Sequence, residues 1–145
     1  PGETKLRTFI KFKNFTEIPA YIVKPLSFVQ RRSIGKTRLG SLQLRLETGR
    51  YSRPVLAEHL RICLLCDQAN HEGQLIENEH HFIFICGTYE NLRREWLNKK
   101  TLPANFNTLD KYEQLSIVLN HPDNVNLTSQ YLISAFDMKS KIINK

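Results

Sequence analysis

Cysteine is scarce in this chain of 145 residues: there are three. An odd number always leaves one thiol over, so no closed disulfide framework is available, and a reducing, intracellular setting (nucleus or cytoplasm) is expected. Long apolar runs are missing too. None approaches the roughly 18 to 20 residues of a membrane span, and the opening Pro1–Lys5 lacks the make-up of a signal peptide. The chain does not start with Met, as expected of a piece of a longer protein. Two sequons, at Asn14 and Asn126, then carry no glycosylation meaning. Catalytic motifs are likewise absent from the sequence: no nucleophile elbow, no H-E-x-x-H, no paired carboxylates, no Asp-Asp dyad of a polymerase palm. Ser33–Thr37 ends like a phosphate loop, but Gln30 stands where the first glycine belongs and no strand precedes it. The fragment itself is therefore expected not to be an enzyme.

All three cysteines fall in one short stretch. Cys63-Leu-Leu-Cys66 is followed, after fourteen residues, by His81-Phe-Ile-Phe-Ile-Cys86. Zn²⁺ takes a tetrahedron of thiolate and imidazole, and two cysteines separated by two residues reach one ion from a tight turn, with a second pair closing the other side. The expected ligands are Cys63, Cys66, His81 and Cys86, a CCHC set. His80 is the alternative third ligand, one residue further from Cys86. His71 fits a shorter knuckle spacing, but its fourth ligand would fall on Ile76. His59 and His121 read as surface or capping residues. With four protein ligands no position is left for water, so the ion would be structural and would contribute on the order of 10 kcal/mol to folding. Glu77 and Glu79 are candidates to orient the imidazole, or an acidic helix start. The competing reading is three buried cysteines that merely pack.

The net charge of +7 is unevenly spread. Residues 1–66 hold 13 Lys/Arg against 4 Asp/Glu (+9), and residues 67–145 hold 8 against 10 (−2). Seven cations lie within 23 residues: Arg31, Arg32, Lys36, Arg38, Arg45, Arg50 and Arg53, with Tyr51 among them. Arginine-rich surface of this kind suits phosphate contacts, with aromatic stacking on bases. Pairing with Glu47 and Glu58, or covering core with alkyl stems, is the alternative use. If six phosphates were contacted, affinity would fall about 10³-fold between 50 and 200 mM salt.

Apolar periodicity predicts a mainly α fold. Helices are expected over Lys5–Asn14 (with Leu6, Phe9, Ile10 and Lys13 on one stripe), from Pro19, over Leu26–Leu39, over Tyr89–Lys99 (Tyr89, Leu92, Trp96 and Leu97 inward), over Leu109–Leu119 behind a cap at Asn105–Thr108, and over Leu127–Ile143 (Leu132, Ile133, Phe136 and Ile143 inward). Leu42–Leu46 alternates with period two and reads equally as strand or short helical turn. Tyr51–Glu58, Gln68–Gln74 and His121–Asn124 read as loops. The expected organisation is a basic helical segment (1–58), a CCHC zinc-binding module (59–100) and a C-terminal helical tail (101–145), the whole forming one small helical domain stapled by zinc.

These residues together resemble the C-terminal region of LINE-type (non-LTR) retrotransposon endonuclease–reverse transcriptase polyproteins. The likeness is carried by Lys5–Phe9, Arg38–Tyr51, Arg61–Cys66, Ile76–Cys86 with Tyr89, Leu92 and Arg93, and by Phe106–Leu109 and Ala135–Met138. Its most specific part is the C-x-x-C…E-x-E-x-H-F-x-x-x-C block. Two departures stand out: His80 and His81 where one histidine is usual, and Gly87 where proline commonly follows the last cysteine. The resemblance implies a zinc-finger-like accessory domain, lying beside an upstream reverse transcriptase body, that helps hold element RNA or target DNA. It implies no polymerase activity in this piece. A protein–protein docking module, or a host-adopted relic, fits the same likeness.

Overall fold

The computed structural model describes residues 6–12, 17–66 and 75–145, and is mainly helical. Seven α-helices are described: α1 (Arg7–Phe12), α2 (Ala20–Val23), α3 (Phe28–Arg38), α4 (Arg45–Thr48), α5 (Glu90–Asn98), α6 (Lys111–Asn120) and α7 (Val125–Ile143). Helix α1 covers the middle of the first expected helix. The expected loop at Gln68–Gln74, with His71, lies outside the described residues, as do Lys13 and Asn14.

Local chemistry sets the helix ends. Ser27 caps α3 by accepting from the Gln30 amide while the Gln30 side chain accepts from the Ser27 amide, a reciprocal box that starts the helix two residues later than Leu26. At the other end Gly40 takes φ 64°. Its amide donates to the Thr37 carbonyl and that of Ser41 to Lys36, closing the last turn in the left-handed way that glycine permits. Helix α6 is capped by Asp110 rather than by Thr108. The Asp110 carboxylate accepts from the amides of Tyr112 and Glu113, and Glu113 accepts in return from Asp110. Leu109 before it is extended, so residues 106–108 form a separate 3₁₀ turn.

Helix α7, 19 residues and about 28 Å long, is the spine of the fold. It buries Val125, Thr128, Ser129, Leu132, Ala135 and Lys139, at the three-and-four spacing of one helical stripe. Helices α3, α5 and α6 all pack on that helix, so parts of all three expected segments share one core. Ile133 and Phe136 are half-buried, and Ile143, expected inward, is 59% exposed because α7 outruns its neighbours there. Helix α5 faces α7 with Trp96, stacked on Tyr131 at 4.4 Å between centroids and 11° between planes. Tyr89, just before it, and Trp96 are buried as expected, while Leu92 and Leu97 are half-buried and Arg93 takes an inner position.

The Leu42–Leu46 segment resolves as a bend, with the Leu44 amide donating to the Leu42 carbonyl at 2.8 Å, followed by the short helix α4. Leu42, Leu44 and Leu46 are all buried, so period-two burial arises without a partner strand. Among the described residues the one β contact is an isolated antiparallel bridge between Ile62 and Ile76.

Candidate metal centre

That bridge builds the first half of the site. The Cys63 amide donates to the Leu75 carbonyl at 2.9 Å, and the Glu77 amide to Arg61 at 3.0 Å. Cys63 is thereby held at the end of a short extended run, and the turn through Leu64 and Leu65 brings Cys66 back beside it. The second half comes from an unusual helical turn. Residues His81–Ile85 form a π-helix, and the Cys86 amide donates to the His81 carbonyl at 2.8 Å. In an α-helix residues five apart point about 140° away from each other. The wider i→i+5 turn lets His81 and Cys86 serve one point, and such turns concentrate at functional sites. The Asn78 side chain accepts from the His81 amide at 2.8 Å and fixes the entry to this turn.

The four expected side chains converge. Cys63, Cys66, His81 and Cys86 are all buried, and their ligand atoms lie within 4.8 Å of one another. Cys63 Sγ and Cys86 Sγ are 3.8 Å apart, and Cys66 Sγ and His81 Nε2 are 3.7 Å apart. A tetrahedral ion with Zn–S near 2.3 Å and Zn–N near 2.0–2.1 Å needs edges of about 3.8 Å between sulfurs and about 3.6 Å between sulfur and nitrogen. None of the three cysteines is in a disulfide. The residues present therefore fit a metal ion, and the donor set, three sulfurs and one imidazole nitrogen, is the set that Zn²⁺ takes.

The electrostatics favour negative charge on one of the three sulfurs, that of Cys63. The Cys63 thiol is drawn down to about 3 by the hydrogen bond it accepts from Cys86, helped by His81 and by the amides of Leu65 and Cys66, against the cost of burial. Cys86 is pushed up for the same reason, since one proton is shared between the two sulfurs. Burial, and then the charge on Cys63, pushes Cys66 up. The Thr88 amide and hydroxyl stabilise negative charge on Cys86, while that hydroxyl lies 2.9 Å from the Leu65 carbonyl. The buried Arg93 guanidinium donates to the Cys86 carbonyl and fixes the chain beyond the last sulfur. A buried arginine on the inner face of α5 is invisible in the apolar periodicity of that helix.

His80 and His81 separate cleanly. His81 is buried in the cluster, with Nδ1 free of hydrogen-bond partners among the described residues. His80 turns the other way, its Nε2 2.7 Å from Gln114 Oε1 on α6. Glu77 does not orient the imidazole. Its carboxylate is buried, accepts from the Arg45 amide at 2.7 Å and pairs with Lys139 Nζ at 2.5 Å, joining α4 to α7. Glu79 is buried as well. His121 is exposed and accepts from the Asp123 amide, a turn cap.

The seven expected phosphate-binding cations are dispersed. Arg31 and Arg32 are exposed on α3, Lys36 is half-buried one turn further on, and Arg53 is exposed in the loop before Pro54. Arg31 donates to the Lys24 carbonyl at 3.1 Å. Arg38 turns inward over the Tyr21 ring, and burial lowers its pKa. Arg45 is half-buried, and Arg50 pairs with Glu47 at 3.4 Å. Arg61, cationic but outside the expected set, is spent on the carbonyls of Leu46 and Leu56. Trp96 is buried, and Phe136, half-buried, packs on Phe82 with centroids 4.7 Å apart. Exposed apolar side chains lie instead on α2 and at the start of α3 (Ile22, Val23, Phe28 and Val29). Among the described residues no helix is long and apolar enough to cross a membrane. No family model matches the chain, and no curated protein or solved structure is detectably similar to it.

Proposed function

We propose that Cys63, Cys66, His81 and Cys86 hold one structural Zn²⁺, and that the chain is a non-catalytic, zinc-stabilised module that holds RNA or DNA through the exposed cations of α3. On this reading it is an accessory domain of a LINE-type reverse transcriptase, which the resemblance of the sequence block around the cysteines supports. The observation that carries the metal assignment is the spacing of 3.8 and 3.7 Å between paired donors, all four buried. With every coordination position filled by protein, the ion would tie the bridge at Ile62 and Ile76 to the π turn, and would bind no substrate.

The nucleic-acid reading rests on charge. Arg31, Arg32 and Arg53 are exposed and Lys36 is half-buried, four cations of the seven in the sequence. Four phosphate contacts give a slope of about −3.6 in log affinity against log salt on duplex DNA, or about a 10²-fold loss from 50 to 200 mM. Titrating the zinc-loaded protein into a labelled nucleic acid across that range checks this. Binding that stays flat with salt would contradict it and would favour the second reading, docking onto a protein through the exposed Ile22 and Val23 of α2.

A further inference from the structure

Residues 28, 32 and 36 recur every four positions along α3, and so lie on neighbouring turns of one face. They are Phe28, Arg32 and Lys36. Phe28 is 77% exposed, a phenyl ring in water on the first turn of a helix that packs on α7. Beside this row a groove of about 370 Å³ runs between α3 and α7. Its apolar walls are Val29, Leu42, Ile133 and Phe136, and its charged lip is Arg32 and Lys36. No carboxylate lines it, and neither cation has an ion-pair partner among the described residues.

A ring in water, two cations at one-turn spacing along the same line, and an apolar trough beside them match a ligand of alternating character. That ligand carries flat apolar faces and regularly spaced negative charges. Duplex nucleic acid offers only the charges, since its bases are stacked and paired. Single strands offer both.

We infer that the α3 face is a single-strand binding track, in which Phe28 stacks on one base, Arg32 and Lys36 hold the adjoining phosphates, and the α3–α7 groove receives the neighbouring base. This rests on the nucleic-acid reading above and narrows it to the unpaired strand. RNA and DNA share the chemistry, and Phe28 does not distinguish them.

The test is anisotropy of labelled 12-nucleotide oligo-U, oligo-dT, an abasic oligomer of the same length and a 12-base-pair duplex, with zinc-loaded protein at 50 mM salt. Phe28 is exposed, so Phe28→Ala leaves the core intact. This substitution is expected to weaken oligo-U, oligo-dT or both by about 10-fold, within the 5- to 150-fold worth of one stacked base. Duplex and abasic binding should stay within 2-fold. Phe28→Trp should restore affinity, with an indole emission quenched on binding. Arg32→Ala with Lys36→Ala should weaken every ligand. Unchanged single-strand affinity in Phe28→Ala, or an equal loss on the duplex, overturns the track while leaving charge-driven binding in place. Failure of the unaltered protein to bind any of these ligands overturns both.

Discussion

His80 and His81 show how much a single residue's surroundings decide. The two imidazoles are adjacent in sequence, yet one joins three sulfurs and the other meets Gln114 across on α6. The spacing to Cys86 favoured His81, and the π turn is why that spacing works. Sequence could not assign Glu77, whose partner Lys139 stands 62 residues away. A buried ion pair at such separation leaves no local pattern. Lys100 is another residue whose role depends on fold. Its Nζ donates to the Asn124 carbonyl at 2.6 Å and sits 4.8 Å from the centre of the Trp96 ring, and burial draws its pKa down to about 7. An unfolded chain keeps that proton up to about 10.4. Between these values the unfolded state holds more protons, so stability rises with pH from about 7 to 10 and carries no further dependence on this group below 7. Unfolding of zinc-loaded protein and of Lys100→Met, compared at pH 7 and pH 9.5, should show a difference that shifts toward the unaltered chain at the higher pH. A difference constant with pH would contradict this.

Elements were legible where propensity and capping agreed. The 3.6-residue stripes of α5 and α7 could be read directly. Helix ends slipped by two residues where a capping box (Ser27 with Gln30, Asp110 with Glu113) outweighed the apolar pattern. The π turn at His81–Ile85 has no sequence signature of its own, because five apolar or aromatic residues in a row fit any helix. Its exit is informative. Cys86 has φ −55° and ψ 122°, the extended conformation that a residue before proline requires. Gly87 opens a 3₁₀ turn, and a Cβ on it would meet no atom within 4 Å. The Cys86 conformation and the room for a Cβ are both compatible with proline, the residue usual at that place in the resembled block. Gly87→Pro is expected to stabilise the protein by about 0.4–1 kcal/mol through a stiffer unfolded chain, read as a higher denaturation midpoint at unchanged slope. A loss of stability would show that the Gly87 amide or φ is needed as it is.

At the scale of the whole molecule, the aromatic spine around Trp96, Tyr131, Phe82 and Phe84 and the metal centre are one structure. Phe82 and Phe84 belong to the same π turn that carries His81, and Tyr131 donates to the Ile83 carbonyl at 3.1 Å. Metal binding and helical packing should thus be lost together. The charge asymmetry of the sequence overstates how many of its cations stay exposed. Arg38 and Arg61 turn inward to carbonyls or rings and Arg50 to a carboxylate, which composition cannot foresee. The central claim is that one ion holds the bridge and the π turn together. Native mass spectrometry of the purified chain, with far-UV circular dichroism, tests it on the unaltered protein, Cys63→Ser, His81→Ala and His80→Ala. The account predicts one zinc per chain, retained in His80→Ala, and lost together with helical signal in Cys63→Ser and His81→Ala. A well-folded chain that takes up no zinc would contradict it and leave three cysteines that only pack.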